Sequence, residues 1–332
     1  MRRWVLIVVS LLVSGAFLWL VLRDQPLDEV LANIQQANFL WIFVSFLSVG
    51  GALWTRGIRW RGLVGNRVSV SQGFYIFNVT MLFNQLPLRA GEVVRTLLAT
   101  RYGVPMVTGA ASIVVERLID VLTVVLLIVF GLTRIPTAPP ALTNAATFFG
   151  IAATVGFLTL ILLARFPNLA HNLLIFLEKR LPFLVRLGLR KRLEELLDGL
   201  RPFTHWRSAL HVILWTVIGW ALSLFTLVSL GWAFDVQGID LWLLSALSVS
   251  MAALGVAIPV TVAGIGPFQA GVILGGEILG MNSVVAASMG IVFHGVTLLA
   301  YAAFGVVGLL GLGVSFGDLM KRTDSTTEVA TE

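Results

Sequence analysis

The chain of 332 residues is 58% hydrophobic and only 12% charged, carries a formal net charge of +6 and has a mean hydropathy of +0.93. Soluble domains carry about 25% charged residues, so the composition excludes a soluble or disordered protein and points to a polytopic helical membrane protein. No cysteine is present, no two of the four histidines (His171, His205, His211, His294) are spaced i, i+4, and each lysine (Lys179, Lys191, Lys321) is followed by arginine; thiolate chemistry, a helical zinc site and a Walker A loop are therefore not expected, nor is any cofactor.

In chain order, six apolar runs can cross a hydrocarbon core about 30 Å thick at about 1.5 Å per helical residue. They are Trp4–Leu22, Phe39–Trp54, Val107–Leu132, Ala145–Leu163, Ser208–Phe234 and Val284–Gly313. Arg2 and Arg3 before the first run resemble a signal peptide, but no Ala-x-Ala site follows, so this run is read as a retained helix. Two further apolar regions are interrupted, Phe74–Tyr102 at Pro87–Gly91 and Ser245–Gly280 at Pro259–Gly266. Each arm has about 13 residues, or about 20 Å of helix, which is short of a crossing. Proline removes a helical donor and glycine permits a reversal, so each region reads as a pair of half-helices entering and leaving on one side, hinged at Pro87 and Gly91 and at Pro259, Gly264 and Gly266. The expected fold class is an all-α polytopic membrane protein with six full crossings plus two re-entrant half-helix hairpins.

With the amino terminus inside, this topology puts 18 of the 23 basic residues on the inner side, including four in 55–71 and nine in 165–207. The positive-inside rule then selects N-in and C-in, in a cell membrane. The two broken regions also resemble each other: Leu86-Pro87-Leu88-Arg89-Ala90-Gly91 matches Ile258-Pro259-Val260-Thr261-Val262-Ala263-Gly264 with one insertion, and Gly103–Ser112 resembles Gly280–Ser288. Three crossings and one hairpin in each half would invert the second half relative to the first, an arrangement used by transporters. One membrane domain over 1–322 is expected, with halves of about 1–134 and 135–322. Within it, 165–207 alternates leucines with a basic face and suits a helix on an anionic inner leaflet; 323–332 reads as a disordered polar tail.

Charges inside a membrane cost about 2.5–3.5 kcal/mol each and so mark functional candidates. On the run from Val107, Glu116, Arg117 and Asp120 share one helical face, where Arg117 and Asp120 could form a self-neutralising pair. In the first hairpin Asn84, Arg89, Glu92 and Arg95 surround the break. A half-helix amino terminus favours an anion, and guanidinium forks suit a phosphate, so Arg89, Arg95 and Asn84 are expected to contact a lipid headgroup while Glu92, Glu116, Arg117 and Asp120 gate or position. The competing arrangement pairs Arg89 and Arg95 with those carboxylates.

The runs Asn84–Arg95 (NQLPLRAGEVVR), Glu116–Asp120 (ERLID) and Pro259–Gly266 (PVTVAGIG) followed by Gln269 together resemble the membrane region of the lysylphosphatidylglycerol synthase, or flippase-like, family. The resemblance covers almost the whole chain and implies translocation of an aminoacylated phospholipid; the soluble aminoacyl-transferase domain of bifunctional members is not expected here. Gln269 stands where glutamate is common in the family, which puts a proton or cation role at that position in doubt. The function expected is a translocase moving a phosphate-bearing lipid, a phospholipid or a polyprenyl phosphate, between leaflets, with a separate lipid-modifying enzyme as a possible partner. A membrane-embedded lipid-modifying transferase with Glu116 or Asp120 as general base, or a secondary transporter of a small solute or ion, is the alternative.

Overall fold

Hydrocarbon offers no partner to a backbone N–H or C=O, so apolar runs that enter it fold as helices. The computed structural model describes residues 2–86, 90–135, 140–180, 197, 199–257 and 261–320. Pro87, Arg89 and Pro259, most of the basic segment over 181–198 and the polar tail lie outside the described residues. Among the described residues the principal elements are helices: α1 (Arg2–Leu22), α2 (Leu27–Gln36), α3 (Phe39–Leu63), α4 (Val70–Phe83), α5 (Gly91–Thr100), α6 (Met106–Thr133), α7 (Pro140–Arg165), α8 (Pro167–Arg180), α9 (Trp206–Ala233), α10 (Leu241–Val256), α11 (Pro267–Ile278) and α12 (Ser283–Leu312).

Each expected long run lies in a long helix. The spans Phe39–Leu63, Thr143–Arg165, Trp206–Ala233 and Ser283–Leu312 are long and apolar enough to cross a membrane, and the bent pair α1–α2 makes a fifth. Helix α6 has 28 residues but carries Glu116, Arg117 and Asp120 in its middle. Two features depart from the sequence expectation. Helix α3 continues to Leu63, beyond the apolar run that ended at Trp54. The segment after α1 forms α2, turned by 87° from it; Leu27, Val30, Leu31 and Ile34 fall on one face of α2, and Val30 is buried, its carbonyl accepting from Ser288 Oγ at 3.3 Å.

The broken regions fold as the short helix pairs α4–α5 and α10–α11, so the order long, short, short, long occurs twice, in α3 to α6 and in α9 to α12. The connections correspond as well. Between α5 and α6, Gly103 has φ +77° and Val104 N–H donates to Ala99 C=O at 3.2 Å; between α11 and α12, Gly280 has φ +77° and Met281 N–H donates to Gly276 C=O at 3.0 Å. Both are helix ends closed by a left-handed residue with a six-to-one bond. Ser69 caps α4 and Asp240 caps α10. In packing, α3 lies on α9, while α4 lies on α12 and α10 on α6; exchanging the halves turns each of these last two contacts into the other.

Lipid tails are as apolar as the side chains, so helix association in a bilayer depends on close packing and polar contacts. Helices α10 and α11 meet through Gly271 and Gly275, where an added Cβ would lie 2.4 Å from Ala252 N and from Ser248 Oγ. On the perimeter, Leu12, Trp19, Phe39, Phe148, Phe149 and Leu310 are exposed, as a hydrocarbon-facing surface requires. The described helices therefore enclose a centre whose walls come from both helix quartets, α3 to α6 and α9 to α12.

Candidate functional site

The centre is organised by two helices that carry charge into the bundle. On α3, Val49, Ala52, Arg56 and Arg59 repeat at three- and four-residue spacing and so share a face. On α6, Glu116 and Asp120 are spaced i, i+4 toward it. The sequence counts Arg56 and Arg59 among the inner-surface basic residues. The structure corrects this for Arg59, which is 1% exposed within the bundle. Its Nη1 donates to Asp120 Oδ1 at 2.7 Å and its Nη2 to Oδ2 at 3.2 Å. Nη2 also lies 3.9 Å from Glu116 Oε1.

Arg95 on α5 reaches Glu116 from the other side, with Nη1 to Oε2 at 2.9 Å and Nη2 to Oε1 at 3.3 Å. Its guanidinium lies 5.8 Å from the Trp60 ring centre and 5.2 Å from that of Phe77, while Trp60 Nε1 donates to Ser112 Oγ at 3.0 Å. Arg95 and Glu116 are both buried. An unpaired charge there would cost several kcal/mol, roughly 3–5 on breaking such a pair, and the aromatic faces add to the cation's stabilisation. A continuous chain of charges thus runs Arg95, Glu116, Arg59, Asp120, ending at Trp220 on α9, whose Nε1 donates to Asp120 Oδ1 at 3.3 Å. Arg117 does not pair with Asp120. Its Nε donates to Glu92 Oε1 at 3.0 Å, which ties α6 to the start of α5.

Against this charged floor lies a cavity of about 290 Å³, close to the lower end of the roughly 300–1,000 Å³ common for small-molecule sites. Arg56, Glu116, Arg117 and Asp120 meet it on one side; Val249, Ala252, Phe268 and Phe293 line it from the second half. Five of the expected site residues, Glu92, Arg95, Glu116, Arg117 and Asp120, are thus joined in one cluster. Asn84 ends α4 and does not line the cavity; its Oδ1 faces Gly91 at the start of α5 and is buried without a hydrogen-bond partner among the described residues. Gly91 lets α5 start against α4, since a Cβ there would sit 2.1 Å from Thr80 O.

The second break borders the same cavity, between Ala257 and Phe268. Ala263, Gly264 and Gly266 have φ of +55°, +78° and +94°, and a Cβ on Gly266 would lie 2.4 Å from Phe17 Cβ of α1. Gln269 holds this turn: its Oε1 accepts from Gly266 N–H at 2.9 Å, its Nε2 lies 2.9 Å from His294 Nδ1, and His294 Nε2 lies 3.1 Å from Ala263 O. A carbonyl only accepts, so Nε2 carries the proton and Nδ1 accepts from the amide. Ser14 Oγ of α1 accepts from Val262 N–H at 2.7 Å, satisfying another backbone donor. Position 269 therefore has a structural use for an uncharged amide.

Residues 7–305 match the family model described as the lysylphosphatidylglycerol synthase TM region. The chain belongs to this family. The match includes both broken pairs and the whole charged cluster, and it makes the protein a membrane protein of lipid metabolism or transport. No curated protein and no solved structure matches the chain. Within this family member the residues that sequence reasoning passed over are Arg56 and Arg59, and the signal that could have found them is their three- and four-residue spacing from Val49 and Ala52.

Proposed function

We propose that the protein is a translocase that moves a phosphate-bearing lipid between the leaflets of a cell membrane, with six crossings, two re-entrant hairpins and halves of inverted sense, N-in and C-in. The observation that carries this reading is the cavity shared by both halves, charged on the α3–α6 side and apolar on the α10–α12 side, which suits a headgroup still attached to its chains. The matching order of helices, the matching turns at Gly103 and Gly280 and the reciprocal packing of α4 on α12 and α10 on α6 support the repeat. Arg89, beside the first break, is retained as a headgroup contact, while Arg95, buried against Glu116, acts by holding that carboxylate. Pro87 and Pro259 are proposed hinges together with Gly91, Gly264 and Gly266. The substrate class is a phospholipid or polyprenyl phosphate, and a separate lipid-modifying enzyme would supply it.

Every carboxylate of the cluster is held by a guanidinium, which favours transport over a transferase that needs a free general base. Purified protein in liposomes with labelled anionic and polyprenyl-phosphate lipids tests the proposal. Lipid should cross faster than in protein-free liposomes; Arg89→Ala should slow it more than Arg89→Lys, because lysine keeps the charge but not the fork. Equal rates with and without protein overturn it.

A further inference from the structure

The turn of the second break is held by side chains from three helices. Ser14 Oγ of α1 accepts from Val262 N–H at 2.7 Å, Gln269 Oε1 of α11 accepts from Gly266 N–H at 2.9 Å, and His294 Nε2 of α12 lies 3.1 Å from Ala263 O. Ala263 is a non-glycine residue at φ +55°, a conformation that persists only where its surroundings impose it. Gln269 Nε2 and His294 Nδ1 are 2.9 Å apart, so Gly266 N–H, the amide, the imidazole and Ala263 C=O form one chain. A backbone donor closes one end and a backbone acceptor the other, and these ends fix every proton between them. Oε1 must face Gly266, the amide NH2 must face the ring, Nδ1 must be bare and His294 Nε2 must carry the single ring proton. The chain is complete with a neutral imidazole and has no place for a second proton. Gln269 and His294 are both buried.

We propose that His294 is a proton-binding site and that a proton on its Nδ1 releases the turn over 261–266 beside the cavity. The proton comes from water and adds to the Nδ1 lone pair, Nε2 keeps its own, and the ring gains one positive charge. An imidazolium donates from both nitrogens, so Nδ1–H then points at an NH2 group. Either the two donors stay in contact, or the Gln269 amide turns over to offer Oε1 to the ring and Gly266 N–H faces the NH2 group instead. In both arrangements a buried donor loses its acceptor, which favours parting the chain. Phe268 stacks on the imidazole with ring centres 4.5 Å apart and lines the cavity, so a displaced turn moves the cavity wall through that ring.

The ionisable groups that face the cavity beside Phe268 and Phe293 are Arg56, Glu116, Arg117, Asp120 and Tyr301. On the other faces of the elements packed against α12 stand Asp28 and Glu29 of α2, Arg59 and Arg61 of α3, Tyr75 of α4, Arg207 and His211 of α9 and Glu277 of α11. None of these is hydrogen-bonded or ion-paired to His294, whose two partners are Gln269 and Ala263. The site goes beyond the translocase reading, since it concerns a proton and a turn whatever crosses the membrane.

The test uses the full chain in phosphatidylcholine nanodiscs, with isotope-labelled histidine for nitrogen NMR and a trifluoromethyl label on Ile265→Cys for fluorine NMR. The chain has four histidines and no cysteine, so both signals are assigned by substitution, and Val262→Cys gives a second label position in the same turn. Spectra are recorded from about pH 8 to about pH 4, which brackets the ordinary histidine range. As pH falls, His294 should pass from the Nε2–H tautomer to the imidazolium, and the fluorine resonance should shift with the same midpoint. His294→Gln should abolish the shift, which separates the imidazole from the other ionisable groups. Gln269→Glu should abolish it while the imidazole still becomes charged, because a carboxylate accepts from Gly266 N–H and from Nδ1–H at once. The proposal is overturned if His294 stays neutral throughout, if it titrates and the fluorine resonance does not follow, or if the shift survives in His294→Gln. The first two outcomes need neither His294→Gln nor Gln269→Glu, so failure of those variants to fold leaves them decisive. No lipid has to move in this measurement; its failure leaves the translocase reading intact, and an absence of lipid movement in liposomes leaves the proton site standing.

Discussion

Arg59 and Asp120 are joined by a two-pronged ion pair, Nη1 to Oδ1 at 2.7 Å and Nη2 to Oδ2 at 3.2 Å, that locks α3 to α6. Removing either partner leaves a charge inside the bundle, at a cost of about 3–5 kcal/mol. Arg59→Gln and Asp120→Asn should each lower the melting temperature in detergent markedly, and the exchange Arg59→Asp with Asp120→Arg should recover part of the loss. Melting curves of the three variants, superimposable on wild type, would refute a structural pair.

Arg95 and Glu116 differ from that pair in being buried on both partners, with the rings of Trp60 and Phe77 flanking the guanidinium. Arg95→Met alone strands Glu116 and should destabilise by about 3 kcal/mol or more, whereas Arg95→Met with Glu116→Leu replaces a buried pair by apolar groups and should be much milder. Transport by the double variant decides the role of Arg95. A headgroup contact, or a carboxylate that must be held in place, predicts a stable, inactive protein; a purely structural pair predicts that movement survives in proportion to stability.

The apolar runs and their two interruptions were legible because crossing a hydrocarbon core imposes a length and proline and glycine break it. The cluster was legible only in part. Glu116, Arg117 and Asp120 stood out because they interrupt an apolar run. Arg56 and Arg59 did not, since they follow Trp54 where a basic flank is ordinary, and only the continuation of α3 to Leu63 brings them inside. Pairing was less accessible still. The spacing of Arg117 and Asp120 permits a bond along one helix, but Glu92 and Arg59 arrive from other helices and take those partners, a choice set by tertiary packing that no local spacing encodes. Helix α2 was passed over because its short amphipathic run is stabilised by docking on α12, as with Ser288 and Val30.

Gly271 and Gly275 allow α11 to touch the backbone of α10. Gly271→Leu should therefore prevent the pair from closing and reduce folded yield sharply, because overpacking costs about 1–3 kcal/mol even where side chains can shift, and Ala252 N is backbone. Gly156 on α7 supplies the control, with nothing within 4 Å of an added Cβ; Gly156→Ala should leave yield and melting temperature unchanged within error. Fluorescence-detected size exclusion in detergent measures both.

The proposed inverted sense of the halves makes the sharpest prediction, because corresponding positions must then face opposite sides. Arg101 caps α5 two residues before the turn at Gly103 and Glu277 lies in the last turn of α11 three residues before the turn at Gly280, and both are exposed; Arg67 and Gln237 follow α3 and α9 and are exposed. The chain has no cysteine, so single cysteines at these four sites can be labelled without background. With a membrane-impermeant maleimide on intact cells, Gln237→Cys and Glu277→Cys should react, while Arg67→Cys and Arg101→Cys should react only after the membrane is opened. Two re-entrant pairs returning to their own sides require this pattern. If Arg101→Cys and Glu277→Cys label from the same side, at least one broken pair crosses fully or the halves run parallel, and the inverted arrangement is lost even though the helices, the cavity and the ion pairs remain as described.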